Sequence, residues 1–590
     1  MGRKRYMFVG RYGRNTAGGF VSKTKPPIKK IIISFIIVAV IEFLAFYAFL
    51  PPLNIHSMEF WEFQGFFIVA FFLLTFKIPN FEEAKIQYNI VSKIFGIIIL
   101  LAVIIVIIGN VISAKIFNAG RYSSLIDIEN TKFEDTIKET DTITDVALMD
   151  TDSAKVVGQR AIGALSDVVS QYEIGSDYSQ IALKGEPMKV ASLEYAGFFK
   201  WFNNRKNGIP GYVLVDAVKF EANYVKLDKP IKYTESGWFN DNLERHLRFK
   251  YPTAIFEGYY FELDEDGKPY YICPTMTARV GMFGGMDVNG VVICDPCTGE
   301  TKKYDLKDVP NWVDRVYDGD LIEQKYNWHG MLADGFINSV IGQKDCKKAT
   351  EDYGYKVIDN DVWIYTGVTS VIDDSSNIGF VMVNARTGKA KYFNVAGAEE
   401  FSAMEAAEGQ VQNLGYDAAF PSLINIDGRP TYFMVLKDKG NLVKQYALVD
   451  VKKYSIVATG TSQKDTLNTY RKLIKENGVK TSSDKNKNIE QQYKHEQVTV
   501  KDIKYINMSG ETYVYITSNV GNVYKMKFSD DETIVFVQPG SKVEIFYDES
   551  NETGIRSIEE WKVQGENETN ETTNEQTGKQ TEETTKNNNQ

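Results

Sequence analysis

The sequence is poor in the residues that most often build catalytic or metal centres. It has four cysteines and four histidines in 590 residues. So few cysteines exclude a disulfide scaffold, and folding must draw on apolar cores. His56, His246, His329 and His495 are scattered, and no two have metal-ligand spacing. No G-x-S-x-G, HExxH or P-loop pattern occurs. No catalytic residue, metal ligand or cofactor is therefore expected. Positive charge is also missing where it matters: no Lys or Arg lies between Ile31 and Phe76. The net charge is −10 although residues 1–30 carry nine basic residues and no acid, so the remainder is more acidic still. An acidic exterior argues against nucleic acid as a partner.

What is present is apolar. Hydrophobic residues make up 44% of the chain and aromatics 13%, enough to bury several cores. Three runs stand out: Ile31–Leu50, Phe60–Phe76 and Ile94–Ile112. The first and third have the length of a spanning helix; the second reaches it only with flanking residues, and a re-entrant or tilted segment is its alternative. Basic residues before the first run, and Lys77, Lys85 and Lys93 between the second and third, predict a multi-pass cell-membrane protein. The N-terminus is then cytoplasmic and residues 113–590 are extracytoplasmic. A cleavable signal is not expected, because Pro51-Pro52 follows the first run. Glu42 sits mid-way along that run as an intramembrane carboxylate. It either stays protonated or bonds Asn110 or a second copy of the chain, which leaves a homo-oligomer through the helices open.

The exterior repeats itself. Asn207-Gly208-Ile209-Pro210, Asp266-Gly267-Lys268-Pro269 and Asp427-Gly428-Arg429-Pro430 each read as a tight turn entering a strand. Alternating strands with a central Asp or Asn turn follow, at 211–224, 290–304, 379–393 and 445–460. Helical spacing precedes them at Gly158–Tyr172, Trp238–Phe249, Leu321–Ile341 and Glu399–Leu414. The expected structural turn glycines are Gly208, Gly267, Gly428, Gly299 and Gly388.

This unit resembles PepSY-type domains, in which a helix packs on a small antiparallel sheet whose last hairpin carries D-x-x-T-G. The matching residues are Asp295, Thr298 and Gly299, then Asn384, Thr387 and Gly388, and more loosely Asp450. The resemblance implies an envelope protein, with peptidase restraint as the family analogy, and transfers no catalytic residue. The expected fold is α+β. It has a basic tail (1–30), three transmembrane helices (31–113), a linker (114–152), PepSY-like units at 153–235, 236–310 and 397–480, and a divergent unit at 311–396. A second linker (481–496) leads to a small OB-like or SH3-like β-barrel of five or six strands at 497–563, Thr533–Val537 among them. The tail at 564–590 contains only Gln, Gly, Glu, Asn, Thr and Lys and is expected to be disordered.

Local features have structural explanations. Cys294-x-x-Cys297 falls at a hairpin turn, so structural thiols, or a disulfide of Cys273 with Cys294 or Cys297, are expected rather than redox catalysis. Asp264 and Asp266 could open a calcium loop, but a strand follows and a turn explains them; Asp373-Asp374 reads the same way. The sequence thus points to a non-enzymatic membrane-anchored envelope protein. Its partners would be the lipid bilayer and a protein or peptide outside it, bound along sheet edges and grooves. An accessory subunit of a membrane assembly or transport system, and a hydrolase with an unrecognised site, are the alternatives.

Overall fold

The structure is a computed structural model, and it describes residues 21–23, 28–75, 86–88, 90–140, 142–163, 165–371, 376–479, 494–508, 511–528, 531–548 and 554–563. Asp373-Asp374, the basic tail before residue 21, most of the second linker and the tail after 563 lie outside them. Two compact units result, up to Val479 and from Lys480 onward.

The first unit opens with helices α1 (Ile28–Phe49), α2 (Met58–Thr75), α3 (Ile90–Ser113) and the short α4 (Lys115–Ser123). Ile31–Phe49 and Lys93–Ser113 are long and apolar enough to cross a bilayer, and only 11% and 6% of their most apolar windows are buried. Among the described residues α2 does not meet that measure; Glu59 and Glu62 occupy its first turns. Glu42 accepts a hydrogen bond from Gln64 Nε2 at 3.0 Å, while Asn110 bonds the Val106 carbonyl of its own helix. Short strands Val21–Lys23 and Ile86–Tyr88 pair in parallel.

Four copies of one sheet follow. In each, two short strands pair side by side along one edge of a long strand, which pairs on its other edge with a second long strand and then a fifth strand. The long central pairs are Glu186–Tyr195 with Ile209–Asp216, Pro269–Val280 with Gly284–Cys294, Asp361–Ser370 with Ser376–Asn384, and Arg429–Lys437 with Val443–Asp450. The divergent third unit has the same topology as the others.

These sheets share their cores. Tyr271, Cys273 and Cys294 of the second sheet join the core of the first, whereas Ile272 and Ile293 pack with the third. Tyr365, Phe380 and Met382 of the third sheet meet Tyr432 and Met434 of the fourth, whose Phe433 and Val435 face the helix Gln463–Glu476. The helices Leu243–Lys250, Gly319–Leu332 and Glu400–Gln410 lie in the successive shared cores. Half-buried strands were expected, but a stacked sheet is covered on both faces, and Thr431–Leu436 is buried at every position. Residues 114–152 do more than link: Ile128–Asn130 adds a parallel strand to the third sheet, and Glu139 bridges to Asn425 in the fourth.

The second unit is a closed barrel of five strands, Lys494–Met508, Glu511–Ser518, Val523–Lys527, Ile555–Val563 and Lys542–Asp548 in order around it. Thr533–Val537, expected as a strand, lies instead in and just beyond a 3-10 turn, Glu532–Phe536. Its buried residues, Ile534 and Val537, are three apart, which matches a helical turn rather than alternation.

Candidate functional site

Turn chemistry comes first, because it sets each copy. Gly267 and Gly428 take φ of +80° and +73° in two-strand turns, a region that a β-branched residue resists. In the first copy the hairpin is made by Lys184-Gly185, followed by Glu186-Pro187, and not by Asn207-Gly208. Gly208 instead follows the helix Phe198–Asn204, its N–H donating to the Asn204 carbonyl. Both sites have Gly-x-Pro spelling; only Lys184-Gly185 joins two strands that can pair. The third copy turns through Asp359-Asn360, both at positive φ, without glycine.

The later hairpin of each copy is closed by an Asx turn. The Asp295 carboxylate accepts the backbone N–H groups of Cys297 and Thr298, and Asn384 accepts those of Arg386 and Thr387. Asp216 accepts those of Val218 and Lys219, and Asp450 accepts that of Lys453. Gly299 and Gly388 complete two of these turns at positive φ. The residue after the first turn reaches across to this acid: Lys268 to Asp295 at 2.9 Å, and Arg429 to Asp450 at 2.5 and 2.7 Å. In the third copy the polarity is exchanged, with Asp361 accepting from Asn384 and Arg386. These acids hold turns together. Asp264 likewise caps its own turn, accepting from the N–H groups of Asp266 and Lys268.

All four cysteines are free. The expected disulfide is absent because Cys273 faces Val292 and Cys294 faces Tyr271 across the ladder, a diagonal offset rather than an opposed pair. Burial pushes the Cys294 thiol up to about 12 and the Cys297 thiol up to about 11, so neither is an activated nucleophile. Each histidine in the first unit is engaged with a backbone carbonyl: His56 with Met282, His246 with Gly299 and His329 with Ser123. Among the described residues no group of three metal-ligating side chains converges.

Sequence reading missed a buried acid cluster between the sheets. Glu262 accepts the backbone N–H groups of Asp314 and Arg315 at 2.9 and 2.8 Å, and Asp314 accepts that of Ala182 on the first sheet. Arg315 pairs with Asp318 and lies 3.8 Å over the Tyr260 ring. Burial raises Glu262 to about 7, against the pull of those N–H groups. Glu400 is also buried and raised to about 7, with Thr350 donating to one oxygen. The residue types carried no pattern that could have marked them. They tie neighbouring copies together.

The stack is seated on the helix ends. Arg248 donates to the Leu50 carbonyl and Arg245 to that of Tyr47, both at the end of α1. Ser113, at the end of α3, accepts the N–H groups of Met282 and Phe283 at 2.9 Å each. These two residues form the tip of the second sheet's long hairpin, and a side chain at Gly109 of α3 would strike Phe283. Beside α4 an open groove of about 550 Å³ runs along the helix Gly319–Leu332, lined by Lys115, Asp320, Glu323, Trp328, Met331 and Phe336. A second, of about 510 Å³, shares Phe336 and reaches Phe117 and Ile337. Its lining combines the apolar Trp328, Met331 and Phe336 with the charged Lys115, Asp320 and Glu323. No family model matches the chain, and no curated protein matches it in sequence.

Proposed function

We propose that this chain is a membrane-anchored, extracytoplasmic binding protein without catalysis of its own. The observation that carries the reading is the stack itself: four copies of one sheet with shared cores, set on the ends of the helices, give an extended and rigid surface. The first, second and fourth units are read as PepSY-like, the third as a divergent α+β unit, and the C-terminal barrel as OB-like or SH3-like. The groove beside α4 is the proposed seat of a protein or peptide partner, with Glu323 and Asp320 facing basic residues of that partner.

The proposed membrane arrangement has α1, α2 and α3 all crossing, with residues up to 30 inside and those after Ser113 outside. Two contacts favour it. The ends of α1 and α3 meet the same body, and the segments Val21–Lys23 and Ile86–Tyr88 meet each other. Labelling intact cells with a membrane-impermeant maleimide at a Tyr454→Cys substitution is expected to succeed. Protection there until lysis overturns the arrangement. For the binding site, a photo-crosslinking residue at Gln324, on the groove rim, is expected to trap a discrete polypeptide in native membranes, whereas one at Lys303 is not. The same adducts from both positions, or none from Gln324, reject the groove as the seat.

A further inference from the structure

Beside the end of α1 a set of large aromatic rings is left uncovered. Phe199 is 78% exposed, Phe239 54%, Phe202 49% and Trp238 47%. They form one patch. Phe198 lies 5.5 Å from Phe199 and 5.1 Å from Trp238, and Trp201 lies 5.8 Å from Phe239. Phe239 is held at φ +51°, a conformation unfavourable for a bulky side chain, and Trp201 Nε1 donates to Asp241 to fix the same loop. A soluble body seldom exposes so much contiguous aromatic surface without something to cover it.

The position of the patch identifies the cover. Asn240, next to Phe239, accepts from the Tyr47 hydroxyl at 3.3 Å, the Arg245 guanidinium lies 4.3 Å over the Tyr47 ring, and Phe249 packs on Phe46 at 5.6 Å. Tyr47 is in the last turn of the apolar stretch that ends at Phe49. The patch therefore sits at the level where that stretch ends. Arg205 lies 3.8 Å over Phe202, Lys200 and Lys206 stand beside these residues in the sequence, and none of the three takes part in an ion pair among the described residues. Exposed apolar residues also flank the end of α3: Phe117, four positions after Ser113, is 70% exposed, and Ile337, beside the same groove, is 72% exposed. Aromatic rings bordered by Lys and Arg at the end of an apolar helix are the composition of a bilayer's headgroup layer.

We infer that the patch formed by Phe199, Phe202, Trp238 and Phe239 rests in the phospholipid headgroup layer, with Lys200, Arg205 and Lys206 directed at lipid phosphates. The stack is then held against the membrane by side chains as well as by the helix ends, and it cannot swing on them. This rests on the reading that α1 and α3 cross the bilayer. The test uses the full chain, carrying Cys297→Ser, in phosphatidylcholine–phosphatidylglycerol vesicles. A fluorophore is placed in turn at Phe199→Cys, at Ile104→Cys in the middle of α3, and at Tyr454→Cys on the fourth sheet. The Phe199 label is expected to be quenched several-fold more than the Tyr454 label by lipid carrying a nitroxide near the headgroup. The Ile104 label is expected to respond most to a nitroxide deep in the acyl chain. Deep quenching at Ile104 with no excess at Phe199 overturns the patch inference alone and marks the patch as a protein-binding surface. No quenching at Ile104 overturns the spanning reading, and the inference with it.

Discussion

The second and fourth sheets use the same lock, and they differ in how it is buried. In both, a basic residue just after the Gly turn reaches an Asp that caps the later hairpin. Asp295 is 8% exposed but its partner Lys268 is 49% exposed, so water screens the pair. Asp450 is fully buried and Arg429 is 13% exposed, because the helix Gln463–Glu476 covers them and Tyr470 donates to Asp450 at 3.2 Å. One local pattern can therefore be a solvated surface pair or a buried ion pair. Neighbouring layers decide which.

The sharpest way to test that contrast is to remove the cation in each sheet. Arg429→Ala leaves Asp450 buried and unpaired and is expected to cost about 3–5 kcal/mol in denaturant unfolding of the detergent-solubilised chain. Lys268→Ala is expected to cost about 0–1 kcal/mol. Equal losses would break the comparison.

The two buried glutamates give a second contrast. Glu262 receives a backbone N–H on each oxygen, so Glu262→Gln must turn an amide N–H toward another N–H and is expected to cost about 1–3 kcal/mol. Glu400 has a hydroxyl donor on one oxygen and no partner on the other, so Glu400→Gln is expected to be close to neutral at pH 5. The Gly turns come next. Gly428→Val, at φ +73°, is expected to cost about 1–3 kcal/mol. A neutral thermal melt for that variant would reject the strained-turn account.

The last contrast is in pH dependence. Burial raises Glu257, Glu262 and Glu400 to about 7 in the folded chain, above the ordinary carboxyl value near 4.3. The unfolded chain ionises first as pH rises. The stability these groups provide is thus complete below about pH 4 and is lost as pH rises to about 7, with little change beyond. Glu400→Gln is expected to flatten part of that slope between pH 5 and 7. A slope unchanged in that variant would show that Glu400 is already ionised in the folded state.

Much of this architecture was legible residue by residue, and the misreadings are instructive. The turns at Gly267 and Gly428 could be read because a positive φ is a local demand that few residues meet. Gly208 was misplaced because Gly-x-Pro also fits a helix exit, and choosing between it and Gly185 needs the strand that pairs on the other side. The Thr533–Val537 segment reads as a strand from its unbroken apolar run, and only the burial of Ile534 and Val537, with Val535 and Phe536 exposed, reveals the helical turn. The groove beside α4 had no signal at all, since its lining comes from segments more than 200 positions apart, such as Lys115 and Phe336.

By itself the sequence determined the apolar runs, the repeated turns, the Asx-capped hairpins and the strand-rich C-terminal unit. Each of these follows from short-range physics: side-chain period, the permitted φ of one residue, or a carboxylate within reach of its own backbone N–H groups. Only the tertiary structure decided that the sheets stack with both faces buried, that Glu262 and Glu400 lie between copies, and that the hairpin tip at Met282–Phe283 seats on Ser113. Those outcomes depend on what approaches from a distant part of the chain, and burial, desolvation and the choice of hydrogen-bond partner are set only once it has arrived.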